Sequence, residues 1–377
     1  MHPVIHWQEA GRDCSAAWRS ESGMPAPKRV VVADDSMTAD AAYRLACEGT
    51  ALLWRGDFQN ARQLLNAMAR RADRKPKKPA PSTSSEAFNL YRQARSQRAR
   101  TLAMLLIPFD ADHSIPLRRA PDARLACTEA YGTAAEPYVA SLRELLGLTG
   151  SHEWRRKGVE IPFLNARLHP HYGVFSPVRG EYVELVAHAP LPGKIPSVAF
   201  DIGTGTGVLA AVLARRGIKH IVATDQDQRA LVCSRENIER LGLSAQVDVV
   251  EADLFPEGRA NLIVCNPPWV PARPGTALEH AVYDFESRML KGYLNGLASH
   301  LEENGEGWLI LSDLAEHLGL RSRAELLDMI DKAGLFVLGK LDVKPQHPKA
   351  SDHSDALHAA RKAEVTSLWR LAAKPSN

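Results

Sequence analysis

From Ser197 onward the chain alternates short apolar runs with segments of helical period, and this alternation constrains the fold more than any other feature. The strand-like runs are Ser197–Asp201, His220–Thr224, Ala245–Val250, Leu262–Asn266, Gly307–Ser312, Leu335–Val343 and Val365–Leu371. Helices fit between the first six, which calls for a parallel sheet covered on both faces. Only a polar loop separates the last two runs, so they are expected to be antiparallel neighbours. Residues 194–377 are therefore expected to form an α/β domain with a seven-stranded sheet whose last strand is antiparallel.

The 377 residues leave room for a second, smaller domain ahead of this one. Residues 1–36 lack sustained periodicity and are expected to be a flexible lead-in. From Thr38 the pattern turns helical. Tyr43, Ala46, Cys47, Leu52 and Leu53 approximate one apolar face, and Phe58, Ala61, Leu64, Leu65 and Met68 continue it after Arg55-Gly56-Asp57. Further helices are expected over Glu86–Leu106, Pro121–Tyr131 and Glu136–Leu146, making residues 37–150 a mostly helical domain. Residues 151–193 read as a connector of two short extended segments followed by an amphipathic entry helix, Glu181–Ala189.

Composition excludes some classes. A hydrophobic fraction of 45% and a charged fraction of 24% are ordinary for a soluble protein. No run approaches the ~18 apolar residues of a membrane span. The start, Met1-His-Pro-Val-Ile-His-Trp7, lacks the basic and apolar parts of a secretory leader, so a cytoplasmic location without membrane contact is expected. Five scattered cysteines without a Cys-x-x-Cys pair suggest neither disulfides nor metal, and Cys265, inside an apolar run, reads as an inert core thiol. Charge is uneven: residues 1–150 hold 21 Lys+Arg against 16 Asp+Glu, the remainder 26 against 28. The densest basic stretch, Arg70–Lys78, fits either an arm that contacts nucleic acid or a solvated helix end running into the linker Pro79–Ser85.

The chemistry-bearing residues follow the strands. The first strand runs into Asp201-Ile-Gly203-Thr-Gly205-Thr-Gly207. Glycines there let the backbone turn tightly and approach a ligand with no Cβ in the way, and the next helix presents its N-terminal N–H groups. A dinucleotide fingerprint wants glycine at the first, third and sixth positions, whereas the sixth here is Val208. The spacing favours S-adenosyl-L-methionine over NAD. The second strand ends at Asp225, about 20 residues on, where a carboxylate accepts both hydrogens of a ribose diol. Asp227 fits either this role or an N-cap of the following helix. The third strand leads into Asp253 and Leu254.

After the fourth strand stands Asn266-Pro267-Pro268-Trp269. Two prolines fix the chain extended and remove two N–H donors, leaving the Asn266 side chain and the Pro267 carbonyl as acceptors. Such acceptors suit an amino group on which positive charge develops. Trp269 is expected to lie against a planar acceptor and restrict its approach.

These residues resemble the class I, S-adenosylmethionine-dependent N-methyltransferases marked by Asn-Pro-Pro-Tyr/Phe/Trp. That group includes the HemK-like release-factor glutamine enzymes, the ribosomal RNA guanine-N2 enzymes and the adenine-N6 enzymes. The resemblance covers roughly residues 160–372. It implies a Rossmann-like sheet, parallel until the final hairpin, with Asp253 contacting the adenine amino group and Leu254 beside the ring. The catalytic set is then Asn266, Pro267 and Trp269, and the cofactor set Asp201, Gly203, Gly205, Gly207, Asp225, Asp253 and Leu254, with no metal. Glu251-Ala-Asp-Leu-Phe-Pro256 and Asn266–Pro271 are most similar to the glutamine group, whereas Tyr172-Gly-Val-Phe-Ser-Pro177 resembles the guanine-N2 group. Trp269 stands where the glutamine enzymes have Tyr, and residues 1–150 match neither group. The expectation is transfer to a planar NH2, a glutamine amide of a translation protein ahead of an RNA or DNA base amine, with the N-terminal domain engaging the protein or RNA acceptor. An inactive cofactor-binding module is the reading from another class. The long loop Lys344–Ala363 is expected to overhang the site and to carry a short helix over Ala356–Ala363.

Overall fold

Polar–apolar alternation in Val4-Ile-His-Trp-Gln-Glu9 builds a strand rather than a mobile lead-in, with Ile5 buried and Val4 exposed. In the computed structural model, which describes residues 2–74, 81–178, 180–193, 195–275, 279, 282–345 and 355–375, the segment expected to be flexible holds three strands. These are β1 (Val4–Glu9), β2 (Arg12–Trp18) and β3 (Arg29–Ala33). The tight β1–β2 turn needs positive φ at both central residues, Ala10 (φ 50) and Gly11 (φ 74). Ala-Gly lacks the usual Asn-Gly signature of such turns.

Over the described residues of 37–150 helices predominate, and three strands interrupt them. α1 (Ala39–Cys47) stops at Gly49, whose φ of 78 terminates the helix, and Leu52 and Leu53 belong to the fully buried β4 (Thr50–Trp54). α2 (Phe58–Asp73) and α3 (Ser84–Ala103) follow. α3 gives way to β5 (Leu105–Phe109), and after α4 (Arg124–Tyr131) comes β6 (Tyr138–Ser141) where a helix was expected. α5 (Leu142–Lys157) then runs through Gly147 and Gly150. The six strands form one mixed sheet in the order β1-β2-β6-β5-β4-β3. Short buried strands carry no period-2 signal, so their apolar runs read equally well as helix. Residues 1–80 and 89–153 group into one compact unit, and 81–88 with 154–377 into another.

Within the first unit, Asp57 caps α2 by accepting the Gln59 N–H at 2.8 Å and takes Nε–H bonds from Arg119 (2.6 Å) and Arg118 (2.9 Å). Led by Arg119, these donors hold its carboxyl far below the usual range. Arg55, Arg71, Arg98 and Arg124 are likewise paired with carboxylates. Of the basic stretch, Arg71 thus pairs with Asp40, and residues 75–78 lie outside the described residues.

The second unit begins with the hairpin β7 (Val159–Ile161) and β8 (Ala166–Leu168), then α6 (Glu181–His188). β9 (Val198–Ile202), α7 (Val208–Arg215), β10 (His220–Asp225), α8 (Gln228–Arg240), β11 (Val247–Glu251) and β12 (Ala260–Cys265) follow. The chain closes with α9 (Arg288–His300), β13 (Leu301–Ser312), α10 (Leu314–His317), α11 (Arg323–Lys332), β14 (Leu335–Val343), α12 (His358–Ala363) and β15 (Thr366–Ala373). The sheet order is β11-β10-β9-β12-β13-β15-β14, parallel from β11 to β13, with β15 antiparallel to both neighbours. All seven expected strands are present. Central strands are buried on both faces because helices cover both, giving one cluster around α6 and α7 and another around α9 and α11. Of the expected loop, residues 346–354 lie outside the described residues, and α12 occupies part of the expected short helix.

Candidate active site

Strand register places the site residues. Ile202 of β9 pairs with Cys265 of β12 and with Thr224 of β10, and Asp225 pairs with Glu251 of β11. The glycine turn, Asp225, the Asp253 segment and Asn266 therefore all leave the sheet at one carboxyl edge, on adjacent strands. Open α/β sheets bind ligands along that edge.

The turn is held by its own side chains. Asp201, only 1% exposed, accepts the Thr204 hydroxyl at 2.6 Å and the Ala210 N–H at 3.0 Å. It braces the turn from beneath. Gly203 has φ 72, and a Cβ there would clash with the Met289 Cε. Gly205 (φ 56) is different: a Cβ there would meet nothing within 4 Å, so its surface is open to a ligand. Gly207 opens α7.

Burial pushes the Asp201 carboxyl up to about 6. Because the folded-state value lies above the unfolded value of about 3.9, its contribution to stability is complete below that unfolded value and is lost as pH rises through about 6. Asp201→Asn is expected to flatten the dependence of melting temperature on pH across that window, measured by calorimetry beside the parent; parallel profiles for the two would contradict the assignment.

Asp225 is half-buried. Its Oδ2 accepts the Gly205 N–H at 3.0 Å and its Oδ1 accepts the Asp227 N–H at 3.0 Å, so it couples the second strand to the open glycine while each oxygen keeps a lone pair. Burial raises its pKa, opposed by these N–H bonds. Asp227 is the N-cap of α8, accepting the Arg229 N–H at 2.8 Å. Asp253 is exposed and pairs with Arg288 at 3.2 Å. Leu254 takes φ 79, its carbonyl accepts the buried Thr224 hydroxyl at 2.6 Å, and its side chain packs toward Gly292 of α9.

Trp269 donates its indole N–H to the Asn266 Oδ1 at 2.9 Å. That bond fixes which way the Asn266 amide faces and leaves Oδ1 one further acceptor position. Pro267 is buried, while Asn266 and Trp269 are half-buried. The Trp269 ring packs against the hydrophobic clusters on both faces of the sheet, so it also anchors this segment. The chain then returns through a bridge between Val270 and Tyr283. Cys265 is fully buried, and burial raises its thiol well above the usual range. Among the described residues no group of three His, Cys, Asp or Glu side chains is placed to hold a metal, and no helix is long and apolar enough to cross a membrane.

Sequence reasoning missed two residues here. Asn237 of α8, 1% exposed, donates to the Thr206 carbonyl at 3.1 Å and accepts the His169 N–H at 2.8 Å, tying the segment after β8 to the glycine turn. Arg321, 7% exposed, reaches the Trp269 carbonyl at 3.5 Å. No local motif signals either; only the fold brings them to this edge.

Strand order and the antiparallel β15 define the fold of class I methyltransferases, a Rossmann-like sheet ending in a reversed hairpin. Residues 165–322 match the family model of the methyltransferase small domain. Relatives include a release factor glutamine methyltransferase of Geobacter sulfurreducens, 33% identical over 37% of this chain and 51% of that protein. A ribosomal protein L11 methyltransferase of Pelotomaculum thermopropionicum is 45% identical over 18% of this chain and 22% of that protein. The chain thus spans about half of the first relative's length and about a fifth of the second's. A solved methyltransferase from Pyrococcus furiosus is similar at 19% identity with a TM-score of 0.40, over 60% of this chain and 98% of that one.

Proposed function

We propose that the protein is an S-adenosylmethionine-dependent N-methyltransferase acting on a planar NH2 group, most specifically a glutamine side-chain amide of a protein. One observation carries the reading. The open Gly205 turn, linked to Asp225, and the acceptor side chain of Asn266 leave registered positions of neighbouring strands at the same edge. The space beside Gly205 and the two carboxylate lone pairs of Asp225 fit the adenosine end of the cofactor. The match to the methyltransferase small domain over 165–322 supports the same class.

When bound, S-adenosylmethionine supplies an electrophilic methyl group on a sulfonium sulfur. The protein's share is geometry and fixed charge. Asn266 Oδ1, oriented by Trp269, and the Pro267 carbonyl accept the hydrogens of the attacking nitrogen, so that positive charge developing there meets dipoles already in place. In the proposed sequence the N–C bond forms as the C–S bond breaks, the thioether leaves, and the nitrogen's proton passes to solvent. No strong base is required.

The glutamine assignment is supported by two relatives named for protein substrates, one of them glutamine itself. A nucleobase amine is the alternative, favoured by the positive excess of residues 1–150, but six arginines there are already paired with carboxylates. We assign acceptor selection to the first unit. The test is transfer of labelled methyl from S-adenosylmethionine to a cell extract. Label that survives ribonuclease and is released by protease is expected; the reverse pattern overturns the glutamine assignment, and no labelled product overturns catalysis.

A further inference from the structure

Among the described residues Arg321 is a cation without a counter-ion. It is 7% exposed, its Nε has no hydrogen-bond partner among the described residues, and its one side-chain bond is the long 3.5 Å contact with the Trp269 carbonyl. Buried charges are ordinarily paired, because removing a guanidinium from water costs several kcal/mol that only a partner offsets. The described carboxylates that act on it electrostatically, Glu316, Asp284 and Glu325, are engaged elsewhere. Glu316 pairs with Arg323 at 2.7 Å. Glu325 closes the capping box of α11 with Ser322 at 2.6 and 2.9 Å. Asp284 accepts the N–H groups of Met289 and Leu290, each at 3.0 Å. Burial accordingly lowers the Arg321 pKa despite these neighbours.

The unmatched guanidinium reaches the backbone carbonyl of Trp269, the residue that ends Asn266-Pro-Pro-Trp269. We infer that Arg321 receives a carboxylate of the methyl acceptor, so that the preferred acceptor is a peptide carrying an acidic side chain next to the methylated amide. This rests on the methyltransferase reading above and narrows its substrate. A guanidinium fork takes a carboxylate through two parallel bonds. One buried fork matches one such group. A phosphodiester chain brings repeated charges toward Asp284, Glu316 and Glu325, in a half of the chain that already carries two more acidic than basic residues.

The test uses the full chain with two capped peptides, a central glutamine flanked by glutamates or by asparagines, and a mixed-sequence RNA oligonucleotide. Cofactor titration, melting temperature and labelled methyl transfer are measured for the parent and Arg321→Met. The parent should favour the acidic peptide in kcat/KM by about tenfold or more, the scale of a charge-assisted bond. Arg321→Met should lose that preference, its kcat/KM on the acidic peptide falling to the level of the neutral one, bind the cofactor as the parent does, and melt no lower, since an uncompensated buried charge has been removed. Arg321→Lys should keep part of the preference. Equal use of both peptides by the parent, transfer to neither, preference for the oligonucleotide, or a large loss of stability in Arg321→Met each overturns the inference. Absence of cofactor binding in the parent defeats the methyltransferase reading instead.

Discussion

Gly205→Val is expected to weaken S-adenosylmethionine binding by about tenfold or more, roughly 1.4 kcal/mol. A Cβ at this position has nothing within 4 Å, so the added side chain enters the open space proposed for the ligand. The backbone, however, holds φ 56, which a β-branched residue adopts only with strain of about 1–3 kcal/mol. Gly242→Val provides the control, because Gly242 has φ 67 and also faces open space, but lies after α8 and away from the carboxyl edge. Both variants should melt lower than the parent, and only Gly205→Val should bind the ligand more weakly. Asp225→Ala should weaken binding to a similar extent through loss of the diol acceptor and of the bond that holds the Gly205 N–H. Calorimetric titration of the three variants separates ligand loss from strain; equal affinities for Gly205→Val and Gly242→Val would place the cofactor elsewhere.

Asn266→Ala is expected to leave cofactor affinity within a few-fold while methyl transfer falls by about 10² or more, as when a transition-state acceptor is removed. The substitution also strands the Trp269 indole N–H, a loss of about 1 kcal/mol or more for a half-buried donor. Trp269→Phe keeps most of the ring packing and removes the same bond from the other side. A transfer rate in Trp269→Phe well above that of Asn266→Ala assigns the larger share to the Asn266 oxygen itself. Parental turnover by Asn266→Ala would contradict its role.

The C-terminal sheet was legible because each signal there is local. Leu262–Asn266 and Ser197–Asp201 are apolar runs bounded by turn residues, and alternation with helical segments pointed to a parallel sheet with an antiparallel final pair, although β11 and β12 are joined without a helix. The first sheet was not legible. Leu52 and Leu53 match a helical face and a buried strand equally well, and the deciding feature, Gly49 at positive φ, shows only in the structure. β1 and β2 depend on pairing with each other around an Ala-Gly turn that carries weak signal. At the candidate site, residue types singled out Gly205, Asp225 and Asn266, which the fold brings to one edge. They did not announce that Asp201 works beneath the turn, that Trp269 is bonded to Asn266, or that Arg321 arrives from beyond β13, since those facts arise from contacts between distant segments.

We propose that the carboxyl edge of the seven-stranded sheet holds S-adenosylmethionine. Calorimetric titration of the full, unmodified chain with this compound should show saturable one-to-one binding in roughly the micromolar range, about 8 kcal/mol of binding free energy, with no comparable heat from NAD. Absence of saturable binding, or equal binding of NAD, would contradict it.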